Sequence, residues 1–332
     1  MNLPDKRGEP PPAPALPADR PADNAAEPVD AGAAPAARAM PLATIALLVV
    51  VTVVWGFNFA VVKAGLSQLP PIAFVALRFA IVAAMLLPWL RLPRRKLVDL
   101  ILVSVILGVV HFSLMFTGMR GLDVSTAAIA IQLQVPFAAI LAVLFLDDKL
   151  GWRRMTGMAI AFAGVVLIAG EPRLAGNLLP LCLVIAAACV WAGANILIKR
   201  IGDDIDVISL NGWIALLAAP QLALVSWATE TGQIPALLAA DWRLWASLAF
   251  QALLVTVFGY AVWYQAMRRY PVNQVMPLTL LVPLFGVMSG VIFFDERLTW
   301  PMLIGGLCTI AGVAIVIIRR PRVIAPSTRA GL

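Results

Sequence analysis

From Met40 onward the chain alternates between long apolar runs and short polar connectors. The runs number ten: Leu42–Val62, Pro71–Leu90, Leu97–Met119, Ser125–Leu146, Met155–Ala169, Leu178–Ile198, Val207–Thr229, Trp242–Met267, Val272–Phe294 and Pro301–Ile318. A run of about 20 such residues crosses ~30 Å of hydrocarbon as a helix rising ~1.5 Å per residue. The polar–apolar alternation of a membrane barrel strand is missing. Proline, glycine and charged residues collect in the connectors, where a helix has to end. The pattern predicts an all-α membrane protein with ten transmembrane helices.

The polar connectors are asymmetric. Arg91, Arg94, Arg95, Lys96, Lys149, Arg153, Arg154, Lys199, Arg200, Arg268, Arg269, Arg319, Arg320 and Arg322 fall on one side of the predicted bundle, and Lys63, Arg120, Arg173, Arg243 and Arg297 on the other, 14 against 5. Basic residues accumulate on the cytoplasmic side of membrane proteins, so both termini are expected to be cytoplasmic and the protein to sit as a multi-pass chain in the inner (plasma) membrane. Residues 1–39 hold nine prolines and almost no large apolar side chains. Such a segment cannot bury enough surface to offset its ordering entropy, and a disordered cytoplasmic tail is expected there rather than a signal peptide.

Two motifs recur. Trp55, Asn58 and Lys63 are echoed by Trp191, Asn195 and Lys199, with 136 residues between the tryptophans and between the lysines. Asp148, Trp152, Gly157 and Gly164 are echoed by Glu296, Trp300, Gly305 and Gly312, each 148 residues on. The chain therefore reads as a duplication, with a first five-helix repeat at 40–170, a second at 171–320 and a short tail at 321–332. Five is odd, so the second repeat enters the membrane from the opposite face. The expected architecture is two inverted repeats related by a pseudo-two-fold axis in the membrane plane, an arrangement suited to alternating access.

Composition removes other classes. Hydrophobic residues make up 61% of the chain and charged residues 13%, about half the ~25% charge of soluble domains. The net charge of +7 reflects the basic loops and carries no expectation of nucleic-acid binding. Cys182, Cys189 and Cys308 lie within apolar runs and read as packing residues. No nucleotide-binding motif is present and no cofactor is expected.

Several segments resemble the EamA-type family of the drug/metabolite transporter superfamily. They are Val54-Trp55-Gly56-Phe57-Asn58-Phe59, Pro70-Pro71, Ala76-Leu77-Arg78-Phe79, Val190-Trp191-Ala192-Gly193-Ala194-Asn195, Pro277-Leu278, Leu281-Val282-Pro283 and Asp295-Glu296-Arg297-Leu298-Thr299. The resemblance extends over about Leu42 to Ile318, with the nearest likeness to bacterial exporters of O-acetylserine and cysteine. It implies two five-helix bundles around a central cavity and efflux of small metabolites across the inner membrane. The chain departs from the family in the first acidic motif, where Asp147-Asp148 stands in place of Glu.

Polar residues inside spans are costly and usually face the bundle interior. Asn58 and Asn195 suit either a substrate contact or a bond to a neighbouring helix's backbone. Arg78 suits a substrate carboxylate or the tying together of loops. His111, the single histidine, lies on a stripe with Ser104, Gly108 and Met115, and suits proton coupling or a neutral, internally paired role. Gln132 and Gln134 are two residues apart and project about 200° from one another on an α-helix, so at most one is expected to face a cavity squarely. Tyr260, Trp263 and Tyr264 share a face and suit a cavity wall or interhelical packing. With Trp55 and Trp191, the expected substrate-binding set is Trp55, Asn58, Arg78, His111, Gln132, Trp191, Asn195, Tyr260, Trp263 and Tyr264. Lys63 and Lys199 stand at helix ends, where snorkelling or complementation of a helix C-terminal dipole is the default role; the topology sets them at opposite mouths of the expected cavity. Pro136 and Pro283 interrupt two spans at duplicated positions.

The expected function is a secondary transporter of small molecules in the lipid bilayer, exporting amino acids such as cysteine or O-acetylserine, as a monomer or homodimer. The alternative is a carrier of aromatic amino acids, sugars, nucleotide sugars or drugs. A membrane-embedded enzyme lacks a nucleophile–base set, and a channel lacks a continuous polar stripe.

Overall fold

The computed structural model describes residues 40–91, 96–146, 151–171, 174, 178–201, 205–270 and 272–318. The N-terminal tail, Arg94, Arg95, Asp147, Asp148, Lys149 and the side chains of Lys199 and Tyr264 lie outside these residues.

Ten helices among the described residues are long and apolar enough to cross a membrane: α1 (Leu42–Leu66), α2 (Pro71–Trp89), α3 (Leu97–Arg120), α4 (Val124–Phe145), α5 (Trp152–Ala169), α6 (Leu179–Ile198), α7 (Val207–Thr229), α8 (Trp242–Met267), α9 (Met276–Phe294) and α10 (Trp300–Ile317). In hydrocarbon every backbone N–H and C=O must be satisfied within the protein, which a helix does internally. No strand occurs among the described residues. The chain is thus a multi-pass, all-α membrane protein. The outward surface carries exposed leucine, isoleucine and valine. Exposed tryptophans stand at span ends: Trp89 and Trp152 on one side, Trp227, Trp242 and Trp300 on the other. That is the placement of interfacial aromatic belts.

Five spans are irregular: α2 ends in a 3₁₀ turn at Leu87–Trp89, and the irregularities of the other four come in pairs. Helix α3 runs as a π-helix from Ser104 to His111, and α8 does so from Phe250 to Gly259. Helix α4 tightens to a 3₁₀ turn at Ile131–Leu133 before Pro136, and α9 does so at Met276–Leu280 before Pro283. Proline lacks an N–H and its ring pushes on the preceding turn, so a local change of helix type is the expected response. π segments are rare and frequently stand at functional sites.

Helix α10 packs mainly on α5, α2 on α7, and α1 on α9. The α5–α10 contact is made backbone to backbone by glycines in a crosswise pattern. A Cβ built on Gly157 would stand 2.8 Å from the Gly312 carbonyl oxygen, and one on Gly164 2.4 Å from that of Gly305. The reverse distances are 2.4 Å from Gly312 to the Gly157 oxygen and 2.5 Å from Gly305 to the Gly164 oxygen. Small residues permit this approach where lipid supplies no hydrophobic drive between helices.

On the side of the bundle away from most of the basic loop residues, buried helix ends are capped by side chains from elsewhere in the chain. The Glu230 carboxylate accepts from the N–H groups of Ile72 (2.8 Å) and Ala73 (2.9 Å) at the start of α2. The Glu296 carboxylate accepts from Val124 N–H (2.5 Å) and Ser125 N–H (3.0 Å) at the start of α4, and from the Ser125 hydroxyl. The Thr299 hydroxyl, at the start of α10, donates to Glu171. Lys63 serves the opposite pole. Its Nζ donates to the carbonyls of Met119 (3.1 Å), Arg120 (2.9 Å) and Leu122 (2.7 Å), where α3 ends. Carboxylates at helix N-termini and ammonium groups at C-termini complement the partial charges there. Lys63 therefore complements a helix C-terminus, as its place at a helix end suggested, but the helix is a neighbour, and Lys63 is not among the described residues that line the central cavity. Replacing it with methionine is expected to lower stability by about 1–2 kcal/mol, the scale of bonds to a charged donor at a partly wet site. Thermal unfolding of the purified variant in detergent measures this, and an unchanged midpoint counts against the cap.

Candidate functional site

A cavity of about 420 Å³ lies in the middle of the bundle. Nine of the ten expected site residues line it: Trp55, Asn58, Arg78, His111, Gln132, Trp191, Asn195, Tyr260 and Trp263. The tenth, Tyr264, has its side chain outside the described residues. The wall is built from α1, α2, α3, α4, α6, α8 and α9, so both halves of the chain contribute to it.

The irregular turns aim much of this wall. His111 closes the π segment of α3, and Tyr260 follows that of α8. Gln132 lies within the 3₁₀ turn of α4, and Thr279 within that of α9. Gln132 and Gln134 both line the cavity, contrary to the expectation that only one would. A 3₁₀ turn has about three residues per turn, so residues two apart diverge by about 120° instead of ~160°, and both residues border the same space.

The aromatic residues form one connected group. Trp55 lies 5.7 Å from Tyr260 and 5.1 Å from Trp263, centroid to centroid, with tilted rings. The Trp55 Nε1–H donates to the Val255 carbonyl at 3.4 Å, inside the π segment of α8. A Cβ on Gly259 would come within 2.6 Å of that same indole nitrogen, so the glycine leaves the space the indole occupies. Three contacts therefore hold one tryptophan of α1 against α8.

The two asparagines differ. Asn195 donates from its amide to the Trp191 carbonyl one turn back, at 2.8 Å. The Asn58 Oδ1 is buried and has no hydrogen-bond partner among the described residues. His111 is 5% exposed, and its Nδ1 lies 2.9 Å from the Ala187 carbonyl of α6. A carbonyl only accepts, so Nδ1 carries the proton and, in the neutral ring, Nε2 is left as the acceptor. His111 is thus paired internally, one of the two roles weighed for it. Its stripe partners Ser104, Gly108 and Met115 are all buried, as their spacing implied.

Arg78 is 5% exposed. Its guanidinium carbon lies 5.1 Å from the Phe112 ring centroid and 5.7 Å from that of Phe79. Its Nε is buried without a partner among the described residues. The loop-tying role considered for this arginine finds no hydrogen bond among the described residues.

Other wall residues escaped the sequence reading. Met119, Met267, Met276 and Phe116 line the cavity, and methionine adapts its shape to irregular or varied surfaces. In an apolar run a methionine looks like any lipid-facing residue, so only the fold separates these from the rest. Tyr260 also borders a second cavity of about 440 Å³, lined among others by Trp89, Asp206, Asn211 and Gln265, and is the one residue common to both linings among the described residues.

A relative in Escherichia coli (strain K12) described as a "Probable amino-acid metabolite efflux pump" is 32% identical over 280 residues, which cover 82% of this chain and 93% of the relative. Its Salmonella typhimurium counterpart, with the same description, matches to the same extent. A "Probable terminal-alkyne amino-acid exporter" of Streptantibioticus cattleyicolor is 24% identical over 283 residues, covering 81% of this chain and 91% of that one. One crystal structure, 17% identical in sequence, superposes with a TM-score of 0.57 over 82% of this chain and 96% of its own, and so shares the fold. The EamA-like transporter family's sequence model matches twice, at residues 42–170 and 178–318. These matches cover nearly all of the membrane-embedded chain, which belongs to the EamA-like transporter family.

Proposed function

We propose that this transporter exports amino acids or closely related metabolites across the inner membrane, with the central cavity as the substrate site and Trp55, Asn58, Arg78, His111, Gln132, Trp191, Asn195, Tyr260, Trp263 and Tyr264 as its contacts. One observation carries the reading: both duplicated Trp/Asn pairs, 136 residues apart at the tryptophans, meet at a single cavity deep in the spans. A cavity with aromatic walls and a few convergent polar groups suits a small amphoteric solute. The descriptions of the Escherichia coli and Streptantibioticus cattleyicolor relatives support the amino-acid class. Cysteine and O-acetylserine are the first substrates to try.

We also propose that the chain is two inverted five-helix halves, residues 40–170 and 171–320, exchanging conformations around that cavity. The crosswise glycines support this reading. Gly157 and Gly305 are sequence equivalents, as are Gly164 and Gly312, yet Gly157 packs on Gly312 and Gly164 on Gly305. Contact of one residue with the equivalent of another, and the reverse, is what a two-fold axis produces. The paired π and 3₁₀ segments agree with it. The bias of the basic loops supports cytoplasmic termini.

Overexpression is expected to raise external cysteine or O-acetylserine over an empty-vector control. Asn58→Ala is expected to cut efflux by roughly tenfold, the scale of one buried hydrogen bond, with membrane protein levels unchanged; Asn195→Ala is also expected to reduce it. If purified protein in liposomes carries sugars or drugs but no amino acid, the substrate class is wrong. If both asparagine variants transport normally, the cavity is not the site.

A further inference from the structure

We propose that Arg78 binds the carboxylate of the transported solute, and that the protein therefore requires a free carboxylate on what it carries. This rests on the reading of the central cavity as the transport site.

A buried guanidinium has lost its hydration, which costs several kcal/mol unless other groups replace it. At Arg78 the replacement is incomplete. Its Nε has no partner, and no hydrogen bond or ion pair to Arg78 is found among the described residues. The two phenylalanine rings at 5.1 and 5.7 Å contribute cation–π contacts. That holds the head group in place but falls short of a carboxylate's contribution. An arginine under-satisfied in this way, on the wall of a cavity, is a site prepared for an anion.

The rest of the wall narrows the anion to one class. Among the described residues, Arg78 and His111 are the only basic side chains on the lining, and His111 already donates its Nδ1–H to Ala187. A phosphate dianion calls for more than one cation or a helix N-terminus; a monoanionic carboxylate matches a single guanidinium fork. The same cavity holds a second orphan of opposite character, the buried Asn58 Oδ1, which can only accept. It suits a donor such as an ammonium group, and the Trp55, Tyr260 and Trp263 rings add faces for its charge. One orphan donor and one orphan acceptor in a cavity of about 420 Å³ are the complement of a small zwitterion.

The test is competition in liposomes holding the full chain, with radiolabelled L-cysteine and L-phenylalanine as tracers. The competitors are the unlabelled amino acids, their methyl esters, their decarboxylated amines and inorganic phosphate. The expected result is that esters and amines compete roughly tenfold or more worse than the free acids, as the loss of a charge-assisted hydrogen bond implies. In Arg78→Met the acids fall to the level of the esters, and Arg78→Lys lies between. Equal competition by acid and ester in the unmodified protein overturns the proposal while amino-acid transport stands, and this comparison does not depend on any variant folding. Competition by inorganic phosphate at the level of the acids also overturns it, because the anion class is then wrong. If neither tracer is transported, the export reading fails as well.

Discussion

Glu296→Ala is expected to cost about 2–4 kcal/mol of stability. In the folded chain this carboxylate accepts three hydrogen bonds, from the N–H groups of Val124 (2.5 Å) and Ser125 (3.0 Å) and from the Ser125 hydroxyl. Alanine leaves two orphan N–H groups at the start of α4, and each buried, unpaired donor costs about 1–3 kcal/mol, reduced where water reaches the site. Glu296→Gln keeps an acceptor oxygen and is expected to lose about half as much. The neighbouring geometry supplies an independent route to the same defect. Asp295 adopts a left-handed backbone, φ 51°, turning the chain at the end of α9. A Cβ on Gly290 would lie 2.2 Å from Glu296 Oε2 and 2.7 Å from Ser125 Oγ. Gly290→Ala therefore displaces the cap, and Glu296→Ala combined with Gly290→Ala is expected to cost less than the sum of the two. Thermal unfolding of the purified proteins reads all four variants. Full additivity would mean that the glycine acts separately from the carboxylate.

The second large effect is expected at the α5–α10 contact. A Cβ on Gly164 would meet the Gly305 oxygen at 2.4 Å and the Thr309 nitrogen at 2.7 Å. Both obstacles are backbone, so no side-chain rotation relieves them and the helices have to separate. Overpacking of this kind costs about 1–3 kcal/mol, and Gly164→Ala and Gly305→Ala are each expected to fall in that range. The opposite sign is expected at Gly193 in α6. There an added Cβ finds only Leu141 Cδ1, at 3.9 Å, and replacing a helical glycine by alanine stabilises by about 0.5–1 kcal/mol. A panel of these three variants, ranked by unfolding midpoint, separates packing glycines from incidental ones. If Gly164→Ala is as stable as Gly193→Ala, the backbone contact is not as close as described.

Much of this was legible in the chain. Apolar runs are long because hydrocarbon is thick, and polar residues within them are few because they are costly to bury, so spans and candidate site residues stand out together. Nine of the ten residues chosen as Trp, Asn, Arg, His, Gln or Tyr within a span line one cavity. The span ends agree to within a few residues, with α1 running on to Leu66 where the apolar run suggested Val62. Departures have local causes. A regular 3.6-residue period was assumed at Gln132 and Gln134, and the 3₁₀ turn before Pro136 alters it. A helix-end role was legible for Lys63, but not which helix it serves: the carbonyls that bind it lie at the end of α3 and just beyond, 56 to 59 positions away.

Sequence alone determined the class of molecule, the number of spans, the duplication and the polar groups available to a solute. Those follow from one-dimensional quantities: hydropathy over a span, the bias of basic loops and the recurrence of a motif. Only the tertiary structure decided which of the polar groups are already satisfied by the protein. Asn195 and His111 find carbonyl partners, while the Asn58 Oδ1 and the Arg78 Nε do not. A hydrogen bond depends on distances of about 3 Å between groups that lie far apart in the chain, and no local pattern encodes them.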